Sequence, residues 1–309
     1  LNATHLFHIH QAWPGYDEDI ILRLRLPRVL AAVLVGMALG VAGAIFQGLL
    51  RNPLADPLLL GTSSGAALGA TIAFLVPGLL TVAWLGFSVI AVLAFVGALA
   101  AVALVYRLAT RAGQTPVVTL LLAGVALSAM LTGVQTLLVT FLPHQNLQLY
   151  SLYNWISGAI TATQYPAQLV VVGVLVSLSL AGAQFLAPAL DAFTMGDEMT
   201  LHLGFAVERY KLMCVGLAAL LVALAVSMSG LVGFVGLIAP HLCRIVFGPR
   251  HRLLLPATAL AGGLFVVVAD LLARTLAAPT EIPLGVITAL AGGPFFLSLL
   301  RYAGQRYQW

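Results

Sequence analysis

Residues 24–69 read LRLPRVLAAVLVGMALGVAGAIFQGLLRNPLADPLLLGTSSGAALG and decide the fold. The first apolar run, 29–50, is long enough to cross a hydrocarbon core of about 30 Å as a helix. A polar elbow, 51–57, separates it from a second apolar run. Small residues recur at every fourth position of each run, which places them on one helix face where another backbone can approach closely. They are Gly36, Gly40, Ala44 and Gly48 in the first run, and Gly61, Gly65 and Gly69 in the second.

The composition extends this pattern to the whole chain. Of 309 residues, 61% are hydrophobic and 8% are charged, and the mean hydropathy is +1.06. Soluble domains carry about 25% charged residues. Long continuous apolar runs favour helices over the alternating strands of a membrane barrel, so we predict an all-α polytopic helical bundle in a single domain, 1–309. Nine spans are expected near 29–50, 58–76, 82–106, 116–141, 167–187, 211–228, 231–247, 253–275 and 283–301.

Basic residues divide unequally between the two sides of this bundle. Four fall on one side: Arg23, Arg25, Arg28 and Arg274. Ten fall on the other: Arg51, Arg107, Arg111, Arg209, Lys211, Arg244, Arg250, Arg252, Arg301 and Arg306. Because basic residues concentrate in cytoplasmic loops, the ten-residue side and the C-terminus are expected inside. Residue 1 is then outside with no span before it, so at least one further helix is expected to precede it.

Several motifs, in this order, resemble the permease subunit of type II ABC importers, the family that takes up cobalamin, haem and ferric siderophores. They are RLPR at 25–28, RNPLADP at 51–57, GTSSGAALG at 61–69, WISG at 155–158, GLVGFVGLIAPH at 230–241 followed by Arg244, EIPLG at 281–285 and GGPFF at 292–296. The resemblance implies ten spans, of which the first is absent here. It also implies a homodimer in the bacterial inner membrane, two ATPase subunits and a periplasmic substrate-binding protein.

Three arginines are candidates for contact with that binding protein. Arg25 and Arg28 lie three residues apart, hence on one helix face. An arginine at a helix end also commonly anchors at the membrane interface. In the family the RLPR arginines meet acidic residues of the binding protein, and Arg274, in ADLLAR, matches a third. The resemblance thus implies a docking ring of Arg25, Arg28 and Arg274, although Asp270 also offers Arg274 an intrahelical pair.

Residues 191–209, DAFTMGDEMTLHLGFAVER, form the largest insertion on the predicted cytoplasmic side. Gly196 and Gly204 delimit a piece that begins with two carboxylates, which favour a helix N-terminus. The resemblance implies two short coupling helices that seat in a groove of the ATPase. An amphipathic helix on the membrane surface is the alternative. The candidate coupling residues are Asp197, Glu198, Leu203, Gly204, Phe205 and Arg209.

Small polar residues follow one face of the span predicted at 116–141. Such a stripe either packs against a helix or faces water, and the resemblance implies that it lines the transport pathway. At the start of the second span, adjacent serines either satisfy backbone groups or border the pathway exit. The candidate lining residues are Ser63, Ser64, Ser128, Thr132, Gln135 and Thr136.

No constellation for covalent chemistry is evident. The sequence has no nucleophile beside a base and no GxxxxGK[ST] phosphate loop. ATP and Mg are therefore expected on a separate ATPase subunit, with no cofactor, metal or nucleic acid on this chain and lipid as its other contact. A secondary transporter or channel is the alternative class, but it usually needs ionisable groups near mid-membrane. Asp270 is the only carboxylate within a predicted span.

Cysteine and histidine residues offer little support for a metal site. Cys214 and Cys243 have no metal-like spacing and are expected to be buried thiols. A segment with His5, His8 and His10 suits metal or haem iron, but an exposed loop is the favoured interpretation.

Haem is the expected cargo, ahead of a ferric siderophore or cobalamin. The candidate lining has no acidic residue, which suits an apolar macrocycle bearing two carboxylates, and the outer arginines can attract those carboxylates. His144 and Tyr150 lie near the mouth and can contact iron in passing, although aromatic residues at that depth are usually interfacial anchors.

Overall fold

The computed structural model describes residues 20–76, 78, 83–84, 87–140, 146–160 and 166–306. Eleven α-helices lie within these ranges: α1 Leu26–Leu49, α2 Thr62–Leu75, α3 Val89–Ala109, α4 Val117–Thr140, α5 Asn146–Ile156, α6 Pro166–Phe193, α7 Asp197–His202, α8 Val207–Ser229, α9 Val235–Phe247, α10 His251–Thr275 and α11 Leu284–Arg306. A π-helical turn, Ile20–Arg25, leads into α1, and a 3-10 helix, Pro57–Leu60, precedes α2. Strands β1 (Ala83–Trp84) and β2 (Phe87–Ser88) pair antiparallel.

The all-α polytopic class predicted from the sequence is confirmed. Within the described ranges, six helical stretches are long and apolar enough to cross a membrane: Ile20–Leu49, which contains α1, and helices α3, α4, α6, α8 and α10. Three shorter apolar helices, α2, α9 and the Leu284–Leu299 part of α11, occupy the other three predicted positions. The nine predicted spans therefore correspond to six long helices and three short ones.

Left-handed backbone conformations explain why two of these helices are short. The span predicted from 231 begins only at Val235, because Gly230 (φ 61°) and Phe234 (φ 67°) cannot be part of a right-handed helix. Gly61 (φ 86°) likewise separates the 3-10 helix from α2. The span predicted from 82 begins instead in the β1–β2 hairpin, and its helix starts at Val89.

Helix α1 is the centre of the bundle. It packs against α6, α8, α9 and α10, and 72% of its most apolar window is buried within this single chain. Among the described spans this share of buried surface is matched only by α8. The first apolar run of the sequence is thus the element on which the others assemble.

Glycines bring α1 into backbone contact with its neighbours, as their spacing predicted. A Cβ added to Gly36 would overlap the carbonyl oxygen of Gly262 in α10, and a Cβ on Gly262 would overlap that of Gly36. Gly43 meets the carbonyl of Gly236 in α9 in the same way. Between membrane helices, such close approach supplies the packing that a hydrophobic driving force supplies in water.

Three sequence motifs meet at a second backbone contact. The N–H of Leu284 donates to the carbonyl of Gly158 at 2.8 Å, and the N–H of Ala159 donates to the carbonyl of Ser229 at 2.8 Å. Gly158 (φ 86°) and Gly230 (φ 61°) take positive φ there. This contact joins the WISG, GLVGFVGLIAPH and EIPLG segments, which explains why glycines punctuate all three.

Gly36→Ala tests the backbone contact between α1 and α10. The added methyl group has no space, so we expect the free energy of unfolding to fall by about 1–3 kcal/mol, the usual cost of overpacking. Gly216→Ala is the matched control, because a Cβ at Gly216 of α8 meets nothing within 4 Å. The buried thiols of Cys214 and Cys243 report unfolding through their reaction with a thiol-specific fluorophore. Equal stabilities of the two variants would contradict the contact.

Candidate functional site

One buried carboxylate organises the end of the bundle where α1 begins. Asp270 of α10 is only 2% exposed. Its Oδ1 accepts a hydrogen bond from Nε of Arg28 at 3.0 Å, and its Oδ2 pairs with Nε of Arg274 at 3.0 Å. The intrahelical Asp270–Arg274 pair predicted from spacing is confirmed. Asp270 thus holds arginines of two helices side by side.

Glu281, in the loop between α10 and α11, accepts one hydrogen bond from each Nη of Arg28. Nη1 donates to Oε1 at 3.1 Å and Nη2 donates to Oε2 at 2.9 Å, in the bidentate geometry that arginine and carboxylate favour. The Glu281 side chain is 56% exposed, against 21% for Arg28. Sequence reasoning missed this partner, because Glu281 served only as the first residue of EIPLG and lies 253 positions from Arg28.

The three arginines of the predicted docking ring therefore differ. Arg28 and Arg274 are brought together by Asp270. Arg25 lies in the π-helical turn before α1, is exposed, and forms no ion pair with any described residue. A cavity of about 220 Å³ opens beside Glu281 and is also lined by Arg28, Tyr150 and Asn154. Tyr150, predicted near the mouth, borders this cavity, whereas His144, His5, His8 and His10 lie outside the described residues.

Five of the six candidate lining residues share one cavity of about 410 Å³ between α2 and α4: Ser63, Ser64, Ser128, Thr132 and Gln135. The other wall residues are apolar: Leu58, Leu59, Ala67, Val125, Ile156 and Leu231. Ser64 Oγ donates to the carbonyl of Gly61 at 3.1 Å, while Ser63 Oγ has no partner among the described residues. Thr136 is not part of this wall, and its hydroxyl donates to the carbonyl of Thr132 at 2.9 Å.

The insertion at 191–209 contains one short helix, not the two predicted. Helix α7 follows Gly196 (φ 106°), and Gly204 (φ 89°) turns the chain directly into α8. Only two residues, Phe205 and Ala206, lie between Gly204 and the first residue of α8, which leaves no room for a second helix. Thr200 is buried, and its hydroxyl donates to the carbonyl of Gly196 at 2.7 Å.

A buried lysine fastens α7 to the rest of the bundle. Nζ of Lys211, in a residue only 5% exposed, donates to Asp197 at 2.6 Å, to Glu208 at 3.0 Å and to the carbonyl of Thr115 at 3.2 Å. Asp197 also accepts from Nη2 of Arg51, in the elbow, at 3.2 Å. Asp197 therefore joins α7 to α8 and to the elbow, while its side chain remains 38% exposed; its predicted role in coupling stays a prediction. Nothing in the sequence except its positive charge indicated this role of Lys211.

The outer surface of the same insertion is apolar. Leu203 and Met199 are exposed, as are Met195 and Leu201, which sequence reasoning did not select as candidates. Glu198 and Arg209 are exposed as well. Phe205 is only partly exposed, because its ring packs edge-on against Tyr210 with a centroid distance of 5.2 Å. An exposed cluster that combines methionine and leucine is typical of an adaptable protein contact.

Polar side chains also fix the elbow between α1 and α2. The Asp56 carboxylate accepts a hydrogen bond from the N–H of Leu58 at 2.8 Å and so caps the 3-10 helix. Burial raises the pKa of the Asp56 carboxyl, while backbone hydrogen bonds from Leu58 and Phe234 lower it. The elbow is thus held by the half-buried Asp56 cap on one side and by Arg51 on the other.

The described side chains combine three features that a transport protein can use. Within those ranges, no group of three or more His, Cys, Asp or Glu side chains could hold a metal ion. Cys214 and Cys243 are free and buried. The arrangement offers a weakly polar cavity, a charged surface at one end of the bundle and an apolar protrusion at 195–203.

Comparisons with known proteins agree with this arrangement. Residues 1–302 match the FecCD transport family. The chain is similar to the hemin transport system permease protein HmuU of Yersinia pestis, with 43% identity over 93% of this chain and 85% of the relative. It is also similar to the cobalamin import system permease protein BtuC of Halobacterium salinarum, with 41% identity over 93% and 75% of the respective chains. A solved structure described as an inward-facing, metal-chelate type ABC transporter superimposes with a TM-score of 0.83 at 30% identity, covering 96% of this chain and 91% of that one.

Asp270→Asn tests the buried centre of the Arg28 cluster. Removing one partner of a buried ion pair leaves an uncompensated charge, so we expect a loss of about 3 kcal/mol in the free energy of unfolding. Glu281→Gln removes an exposed partner of the same arginine and should cost less than about 1 kcal/mol. Denaturant titration monitored by thiol labelling measures both values. A larger loss for Glu281→Gln than for Asp270→Asn would contradict the assignment of Asp270 as the anchor.

Proposed function

The chain belongs to the FecCD transport family and is a permease subunit of a type II ABC importer; from this premise we propose that its cargo is haem. Ferric siderophores and cobalamin are the other bulky cargoes of this family. Membership of the family favours an ATP-driven importer over a secondary transporter or channel. The nucleotide then binds to a separate ATPase subunit, which also holds Mg.

The cavity between α2 and α4 is the observation that carries the proposal. Six of its eleven lining residues are apolar, and the other five are uncharged hydroxyl or amide side chains. An apolar macrocycle can slide along such a wall without a strong site that would delay its release. Haem combines an apolar ring with two peripheral carboxylates, so it fits a weakly polar passage with a basic entrance. A ferric siderophore would satisfy the same residues, so the choice between the two cargoes rests on the experiment below.

A second copy of the chain completes this passage in our proposal. Helix α4 contributes Ser128, Thr132 and Gln135 to the cavity, yet only 17% of its most apolar window is buried in the single chain. The cavity therefore lies beside a largely uncovered helix. A homodimer in which two such surfaces face each other would enclose a pathway wide enough for a macrocycle.

We place the Arg28 end of the bundle at the periplasmic side and the Arg51 end in the cytoplasm. The excess of basic residues at the Arg51 end supports this orientation. Arg25, Arg28 and Arg274 then face the periplasmic substrate-binding protein. The apolar protrusion at 195–203 faces the ATPase.

The contacts of α7 suggest how movement of the ATPase reaches the pathway. Asp197 joins α7 to Arg51 of the elbow and to Lys211 of α8. The elbow leads directly into α2, which carries Ser63 and Ser64 at the cavity wall. A displacement of α7 when ATP closes the ATPase pair would therefore shift the cavity wall through the Asp197–Arg51 contact, while the Asp197–Lys211 contact would move α8.

Transport in liposomes tests the cargo and the pathway together. With the ATPase inside and the cognate binding protein outside, we expect ATP-dependent haem uptake. Ser128→Phe should reduce that uptake at least about tenfold by filling the cavity, without loss of ATPase assembly. Ser177→Phe on α6, at an exposed position, is the matched control and should transport normally.

Two outcomes would contradict these assignments separately. Uptake of a ferric siderophore or cobalamin with none of haem would overturn the cargo. Normal haem uptake by the Ser128→Phe variant would overturn the pathway.

Gly204→Pro tests the coupling role of 191–209. Gly204 has φ 89° and donates its N–H to Leu201 at 2.9 Å, and proline can provide neither. We expect folded permease in which binding-protein-stimulated ATP hydrolysis falls at least about fivefold. Gly248→Pro is the control, because Gly248 has φ 83° and a comparable N–H bond to Arg244 at 3.0 Å outside the insertion. Equal hydrolysis rates for the two variants would argue against coupling through α7.

A further inference from the structure

The two arginines that lie beside Asp270 already have acidic partners within the chain. Arg28 and Arg274 lie against the carboxylates of Asp270 and Glu281, so two positive charges meet two negative ones. All three nitrogen atoms of the Arg28 guanidinium already donate to these carboxylates. Three of the five N–H groups of Arg28 are thus engaged, and the parallel pair on Nη1 and Nη2 that binds a carboxylate in bidentate geometry is already taken by Glu281.

The two carboxylates differ in how readily they can be replaced. Asp270 is 2% exposed and is shared by both arginines, so its removal would leave Arg274 without the carboxylate that it pairs with and Arg28 with Glu281 alone. Glu281 is 56% exposed and contacts only Arg28 among the described arginines. Exposed ion pairs contribute little to stability. Glu281 is consequently the partner that another carboxylate can displace.

We propose that Glu281 is an internal competitor for the docking site, and that a carboxylate of the substrate-binding protein replaces it on Nη1 and Nη2 of Arg28. This inference rests on the proposed function, in which this face meets the binding protein. Asp270 keeps its bond to Nε throughout, which holds the guanidinium plane in a fixed orientation. The incoming carboxylate thus meets a preorganised bidentate donor.

The surroundings of Glu281 allow this exchange through side-chain motion alone. The backbone on its C-terminal side is fastened, because Ile282 donates to the carbonyl of Ala273 at 2.9 Å and Leu284 donates to that of Gly158 at 2.8 Å. The cavity of about 220 Å³ beside Glu281 is lined by Tyr150 and Asn154. A hydroxyl and an amide group offer hydrogen-bond donors to the displaced carboxylate.

Affinity of the cognate substrate-binding protein for the permease–ATPase complex in nanodiscs tests the exchange. We expect Glu281→Gln to lower Kd about two- to fivefold at low salt, which corresponds to the usual contribution of an exposed ion pair. This gain in affinity should shrink at high salt, because salt screens exposed charges. Glu281→Asp keeps the charge but shortens the side chain, so it should also lower Kd. Thr280→Ala, the adjacent exposed position, is the control and should bind as the unaltered protein does.

Arg28→Ala separates failure of this inference from failure of the docking assignment. Suppose that Arg28→Ala raises Kd about tenfold or more, while both Glu281 variants bind with the same affinity as the unaltered protein or more weakly. The proposed carboxylate exchange is then wrong, and the assignment of this face as the docking site stands. If Glu281→Gln alone tightens binding and Glu281→Asp does not, net charge accounts for the effect and exchange is again wrong. If Arg28→Ala binds normally, the face does not dock the binding protein and both proposals fall.

Discussion

The backbone contact between α1 and α10 is the constraint on which the rest of the structure depends. The two helices run antiparallel, with Gly36 against Gly262, Gly40 against Thr258 and Gly48 against His251. Arg28 lies eight residues before Gly36, and Asp270 lies eight residues after Gly262. At 1.5 Å per residue, both therefore lie about 12 Å from the glycine contact in the same direction. The register fixed by two glycines is what brings the charged pair together.

Local sequence rules predicted those features that depend on helix periodicity. The positions of the apolar helices, the glycine faces, the Asp270–Arg274 pair and the shared wall of Ser128 and Thr132 all follow from three- or four-residue spacing. Phe234 shows where such rules fail. Its left-handed conformation, with the ring packed against Gly292 of α11, depends on a neighbour 58 positions away. The contribution of Phe234 to the shortening of α9 therefore had no local signal, whereas that of Gly230 had one.

Side-chain partners between distant segments had the least sequence signal. In the sequence, Glu281 stood out only as part of the EIPLG motif, and Lys211 only as one of the basic residues. In the structure Glu281 pairs with Arg28 of α1, and Lys211 bonds to Asp197 of α7 and to the carbonyl of Thr115. The charge pattern of a sequence predicts how many charged groups lie at one end of a bundle. Which of them meet depends on helix register, and here the glycine contacts set that register.

At each end of the bundle, a central cation is paired with two carboxylates of the same chain. Arg28 is paired with Asp270 and Glu281, and Lys211 is paired with Asp197 and Glu208. Each cation already has a carboxylate partner within the chain. A competing partner therefore gains only the difference in interaction free energy between its own carboxylate and the internal one. Exchange of one carboxylate for another favours a modest affinity, and it selects a partner whose carboxylate has the right position and orientation. An importer subunit that must bind and release a soluble partner in every cycle gains more from that balance than from a strong permanent contact.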